Sequence, residues 1–130
     1  MATYLLVAVG GALGSVGRFW LGGLVADKFG AAFPWGTLAV NVTGSVLIGV
    51  LAAFAAPEGR LDSTARGFLT QFLMIGVCGG YTTFSSFSLQ TLNLAQEGQW
   101  LYAGANAVLS LTLCLVAVWL GQLLAQVVNR

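Results

Sequence analysis

The stretch Gly76-Val77-Cys78-Gly79-Gly80-Tyr81-Thr82-Thr83-Phe84-Ser85-Ser86-Phe87-Ser88 lies inside a segment that carries no charge from Gly67 to Gln96. About 20 apolar residues cross a bilayer, so the segment is long enough to span. Its middle is nevertheless built from residues that weaken a helix. Gly76, Gly79 and Gly80 each cost roughly 1 kcal/mol of helix propensity relative to Ala. Thr82, Thr83, Ser85, Ser86 and Ser88 then place hydroxyls close together. A helix broken at membrane depth frees backbone groups that must find partners in protein or in a wet cavity. Broken spans near the bilayer midplane recur where ions bind. The stretch therefore points to an ion site and not to a plain membrane anchor.

The rest of the chain agrees with a membrane setting. Of its 130 residues, 58% are hydrophobic and only 7% are charged, against about 25% charged in a soluble domain. Net charge is +1, which gives no electrostatic footprint for nucleic acid. His is absent, so most catalytic and metal-site schemes lose their usual residue. Cys78 and Cys114 both sit in apolar segments, where cysteine acts as a small, soft packing residue and a disulfide framework is not expected. The N-terminus lacks the basic start of a signal peptide, and Arg18 interrupts its apolar run.

Charged residues divide the chain into four apolar segments. These are Thr3 to Ala26, Phe29 to Pro57, the central segment Gly67 to Gln96, and Gln99 to Asn129. Pro34 suits a helix start and Pro57 a stop. Asp27 and Lys28 form one turn, Glu58, Arg60, Asp62 and Arg66 a second, and Glu97 and Gly98 a third. The expected fold is an all-α membrane protein of four transmembrane helices, the third broken near its middle. Residues 1–130 are expected to form one domain, without linker or internal repeat.

Four spans put both termini on one side of the membrane. Arg60, Arg66 and Arg130 then fall on the terminal side and Lys28 on the other, while Arg18 lies within a span, about 12 Å from its end. Such a bias orients membrane proteins. Here it is weak, and it permits insertion in both orientations.

Polar residues mark the faces of the spans. Gly10, Gly14, Arg18 and Gly22 recur every four residues along one helix face, and small residues let another helix approach closely. Arg18 either snorkels to the headgroups or presents a fixed positive charge to an aqueous vestibule. Thr37 and Asn41 share a face of the second span, which Gly44, Ser45 and Gly49 continue. Asn41 is either interhelical glue or a donor to an ion. Phe84 and Phe87, three apart, are either core or ring edges facing an anion, because an aromatic ring carries a positive edge. Tyr102, Asn106, Ser110 and Cys114 form one weakly polar stripe on the fourth span.

No carboxylate lies inside any span. Proton-coupled transport usually relies on intramembrane Asp, Glu or His, and a selective cation site would have to use backbone carbonyls. Neutral hydroxyls, amides and ring edges suit an anion that must enter a pore and leave it again.

At this point the chain resembles a known family, the Fluc or CrcB-type bacterial fluoride channels. Gly10-Gly11-x-x-Gly14-x-x-x-Arg18 carries the resemblance, with Pro34-Trp35-Gly36-Thr37-Leu38-x-Val40-Asn41 and Gly79-Gly80-x-Thr82-Thr83-Phe84-Ser85-x-Phe87-Ser88. It covers essentially the whole chain, and the third motif is highly specific. The resemblance implies a fluoride channel for passive export of toxic fluoride, multi-pass in the bacterial inner membrane. It implies an antiparallel, dual-topology homodimer with two pores. It implies a structural sodium ion at the dimer centre, held by the backbone oxygens of Gly79 and Thr82. Phe84 and Phe87 resemble the family's pore phenylalanines, Asn41 its pore asparagine and Arg18 its vestibule arginine. Thr83, Asn106 and Ser110 complete the implied pore set. Some members carry Tyr at the position of Asn106 and a hydroxyl at that of Cys114.

Three rivals stand beside this reading. A small four-span multidrug exporter has the same size but uses an intramembrane Glu, absent here. A noncatalytic subunit of a larger membrane assembly would use the polar stripes as packing faces. An enzyme fits least, since no nucleophile, acid–base pair or ligand cluster is visible.

Overall fold

The structure, a computed structural model, describes residues 1–57 and 60–128. Glu58 of the charged loop, Asn129 at the end of the fourth segment and Arg130 of the charge count lie outside the described residues. Helix α1 runs Ala2–Phe29 and α2 Trp35–Phe54. The third span comprises α3 (Ser63–Phe68), a π-helical stretch Leu69–Cys78, a short turn α4 (Gly79–Tyr81) and α5 (Phe84–Gln96). Helix α6 covers Trp100–Val128. Among the described residues, four spans are long and apolar enough to cross a membrane, and the protein is a multi-pass membrane protein.

The helix ends follow local chemistry. α1 stops at Gly30, whose φ of 84° is open to glycine and whose N–H bonds back to Ala26 O at 2.8 Å. Pro34 precedes the first residue of α2, where its missing N–H costs least. Phe33, buried in the α1–α2 connection, stacks on Trp35 at 4.6 Å and meets the ring of Tyr102 edge-on at 6.1 Å, which ties that turn to α6. The third span begins with Asp62, whose carboxylate caps α3 by accepting the Ala65 N–H at 2.7 Å.

Packing rests on small residues. Gly10 and Gly14 of α1 are buried against the third span, where a Cβ at Gly14 would run into the backbone of Val77. Reciprocally, Gly76 faces Gly10, and Gly80 faces Gly11. Gly22 opposes Gly36 of α2, and Gly49 of α2 packs on α6 where Gly121 packs back onto Val46. Lipid tails give helices no hydrophobic reason to associate, so close backbone approach supplies the contact energy. The large apolar side chains instead point outward, Phe19 at 85% and Leu101 at 82% exposure, as a lipid solvent requires.

The third span breaks as its glycines and hydroxyls suggest, but not at the glycines. Gly79 is helical, with φ −64° and ψ −38°. The chain leaves the helix at Thr82 (φ −81°, ψ 156°) and Thr83 (φ −149°, ψ 113°). Gly76 and Gly80 serve the contact with α1, while two β-branched residues adopt the extended backbone that suits them. The ten π-helical residues before the break were not foreseen; such winding is rare and clusters at functional sites.

Candidate functional site

The break is closed by a side chain from another helix. Asn41 of α2 donates its Nδ2–H to Thr83 O at 3.0 Å and accepts the Thr83 N–H on Oδ1 at 2.7 Å. An extended residue at membrane depth thereby has both main-chain polar groups satisfied. The Thr83 hydroxyl caps α5 by accepting the Ser86 N–H at 3.1 Å, and it donates to Ser86 Oγ at 3.1 Å. These bonds divert two donors. In an unbroken helix the Thr83 N–H would bond Gly79 O and the Ser86 N–H would bond Thr82 O.

Two cavities meet at this point. The wider, about 950 Å³, opens between α1, α2 and α5 and is lined by Arg18, Thr37, Thr83, Ser86, Gln90 and Glu97, among others. The narrower, about 530 Å³, lies between α2, the break and α6, lined by Asn41, Thr82, Thr83, Phe84, Phe87 and Ser110 together with Cys78 and Cys114. Thr83 lines both. The rings of Phe84 and Phe87 lie 5.3 Å apart, tilted by 49°. Phe84 is 79% exposed on the single chain and Phe87 is half-buried.

Several hydroxyls that looked like free donors are spent on their own helices. Thr82 Oγ1 donates to Cys78 O at 2.9 Å, Ser88 Oγ to Phe84 O at 2.9 Å, and Ser45 Oγ to Asn41 O at 2.7 Å. These turn lone pairs, not protons, to their surroundings. Ser86 differs, because its oxygen accepts from Thr83 and its own proton remains free for the wide cavity.

The structure thus brings Asn41, Thr83, Phe84, Phe87 and Ser110 together around one cavity and sets Arg18 in the adjoining one. Asn106 stands apart. It is 1% exposed and lines neither cavity. Its Nδ2 donates to Thr91 Oγ1 at 2.8 Å, and Thr91 Oγ1 donates to Phe87 O at 2.8 Å. Ser110 Oγ donates to Asn106 Oδ1 at 3.4 Å. The chain ties α6 to the backbone that carries Phe87, behind the wall. Gly79 is exposed on the single chain, and Thr82 lies at the break. Cys78 and Cys114 are free thiols.

The sequence reading missed Gln90 and Glu97 as part of the wide cavity. The signal was present: Ser86, Gln90, Asn93 and Glu97 fall on one face of α5 at helical spacing, and all four line that cavity. Chemically, the arrangement offers a polar vestibule with one guanidinium and one carboxylate, which shares the broken backbone at Thr83 with a second cavity lined by phenylalanine rings and a serine. Among the described residues, no carboxylate lines the narrow cavity. Such walls attract an anion without holding it tightly.

Comparison with known proteins gives consistent matches. Residues 5–122 match the family described as "CrcB-like protein, Camphor Resistance (CrcB)". A fluoride-specific ion channel FluC of Rhodospirillum rubrum is 59% identical over 98% of each chain. One of Opitutus terrae is 61% identical over 99% of this chain and 96% of its own. One of Paramagnetospirillum magneticum is 51% identical over the full length of both.

Proposed function

The chain belongs to the CrcB-like family, and on that premise we propose how its cavities carry an ion. It is a fluoride-specific ion channel and not an enzyme. Fluoride moves passively from the wide vestibule beside Arg18 past Thr83 to the narrow cavity, where the Phe84 and Phe87 edges and Ser110 receive it. The observation that carries this path is the shared wall at Thr83, which borders both the cavity that holds Arg18 and the cavity lined by aromatic rings, where no described residue is a carboxylate. In the cell the flow relieves fluoride toxicity by export across the bacterial inner membrane.

The working unit of this reading is an antiparallel homodimer. Phe84 at 79% exposure and the exposed Gly79 backbone would face lipid on a single chain, and polar backbone is not left bare in hydrocarbon. A second copy covers both. The weak Lys/Arg bias permits its opposite insertion.

A sodium ion fits between the copies. The carbonyls of Gly79 and Thr82 are among those at the break without their helical donors, which bond Asn41 and the Thr83 hydroxyl instead, and carbonyl oxygens suit a hard cation. Gly79 and Thr82 would hold it, and its charge would satisfy oxygens that the break leaves without donors.

The test is fluoride efflux from liposomes that contain only the purified protein. Rapid fluoride loss with little chloride loss is expected. Flux that stops when a proton gradient is collapsed, with the fluoride gradient intact, would replace the channel with a coupled carrier.

A further inference from the structure

We propose that Glu97 sets the rate of fluoride conduction from the vestibule mouth, its carboxylate opposing Arg18 in fixing the local anion concentration. This rests on the channel reading and goes beyond it to a residue outside the spans. Among the described residues, Arg18 and Glu97 are the only charged ones lining the wide cavity. With opposite signs in one confined space, each acts on the ion that the other repels or attracts.

Nothing in the fold calls for a carboxylate here. Glu97 caps the C-terminus of α5, held by main-chain bonds: its N–H to Asn93 O at 2.9 Å, Gly98 N–H to Ala95 O at 3.0 Å, and Gln99 N–H to Leu94 O at 2.8 Å. Gly98 takes the positive φ of 76° that closes such a turn. The side chain makes one exposed bond, accepted from Gln99 Nε2 at 3.3 Å. A negative charge at a helix C-terminus also opposes the helix dipole. The residue therefore contributes little to stability, while its charge faces the ion's route. A cleft with low-dielectric walls focuses such a field and changes local ion concentration accordingly.

The effect is electrostatic and exposed, so salt reveals it. Initial fluoride efflux, measured with a fluoride electrode at sub-saturating fluoride, compares wild type, Glu97→Gln, Glu97→Lys, Glu97→Asp and Arg18→Gln in liposomes. At ~10 mM ionic strength, where the Debye length is ~30 Å, Glu97→Gln is expected to run about twofold faster than wild type. Glu97→Lys should run faster still, Glu97→Asp unchanged and Arg18→Gln slower. At ~1 M, where the length is ~3 Å, the Glu97 variants should converge on wild type. Equal rates for Glu, Gln and Lys at low salt, the reverse order, or differences indifferent to salt would overturn the inference and leave the channel standing. Wild type that passes no fluoride would overturn both.

Discussion

The side-chain amide of Asn41 is bonded to both main-chain polar groups of Thr83, donating to its carbonyl at 3.0 Å and accepting its N–H at 2.7 Å. Forty-two positions separate the two residues, yet the pair closes like one rung of a sheet inside an all-helical protein. It fixes the orientation of the amide, because only Oδ1 can meet the Thr83 N–H. It also sets where Phe84, the next residue, leaves the break.

Removing this amide is expected to damage both fold and flux. Asn41→Leu keeps the branched outline but leaves the Thr83 N–H and C=O bare, at about 1–3 kcal/mol for each buried group. Thr83→Ser should be nearly silent, since the pairing uses main chain and the capping hydroxyl is retained. Thermal unfolding in detergent and liposome flux, measured on both variants, check the order. A Ser variant as damaged as the Leu variant would show that the threonine methyl, not the Asn41 pair, holds the break.

The glycine contacts between α1 and the third span should be steep in their demand for space. A Cβ at Gly14 meets the backbone of Val77, which cannot swing aside, whereas one at Gly17 meets only the Tyr81 ring at 3.5 Å. Gly14→Ala is expected to lose about 1–3 kcal/mol by overpacking, and Gly17→Ala to lose little. Melting temperatures of the two proteins decide it.

Gly79 offers a test of what lies outside the single chain. A Cβ there has nothing nearer than Met74 O at 4.0 Å, so a larger side chain fits the isolated fold. If a second copy and a cation sit against this backbone, Gly79→Val should still lower the dimer fraction on a sizing column and reduce flux. Thr82→Ala, which removes a back-bonded hydroxyl and the methyl that packs beside Gly44 but leaves the backbone unchanged, should do less. The reverse order would assign the ion to the threonine hydroxyl.

The aromatic pair separates packing from electrostatics. Phe84→Ile or Phe87→Ile keeps apolar bulk, and core swaps of that kind cost under about 1.5 kcal/mol, so normal dimers are expected. Ring-edge interactions are worth ~0.5–1.5 kcal/mol, and ~1.4 kcal/mol is tenfold in rate. Flux should therefore fall by about two- to tenfold in either variant, with Met tolerated better than Ile because its sulfur is polarizable. Full flux with Ile at both positions would return the pair to ordinary packing.

Insertion in both orientations can be read on intact cells. With Cys78 and Cys114 replaced, a cysteine added at a terminus should be labelled from outside in about half the molecules, given the weak charge bias. Labelling of all or none would fix a single orientation.

The sequence by itself determined the solvent and the span count. Charges as sparse as Asp27, Lys28, Arg66 and Glu97 leave four apolar segments that have no stable home except a bilayer, and this follows from composition without any knowledge of contacts. It also marked the third span as the irregular one, through Gly79, Gly80 and the hydroxyls from Thr82 onward. What it could not place was the irregularity itself. Gly76 and Gly80 lie in helix against α1, and the break falls at Thr82 and Thr83, where Asn41 supplies the missing partner. Asn106 joined the pore set only through the resemblance, and in the fold its amide bonds Thr91 and lines neither cavity. Ser86, Gln90 and Glu97 became one face of a vestibule only when α1 and α2 closed its other side. In each case the deciding partner is distant along the chain, and hydrogen bonds at membrane depth are assigned by which helices meet, which local pattern does not encode.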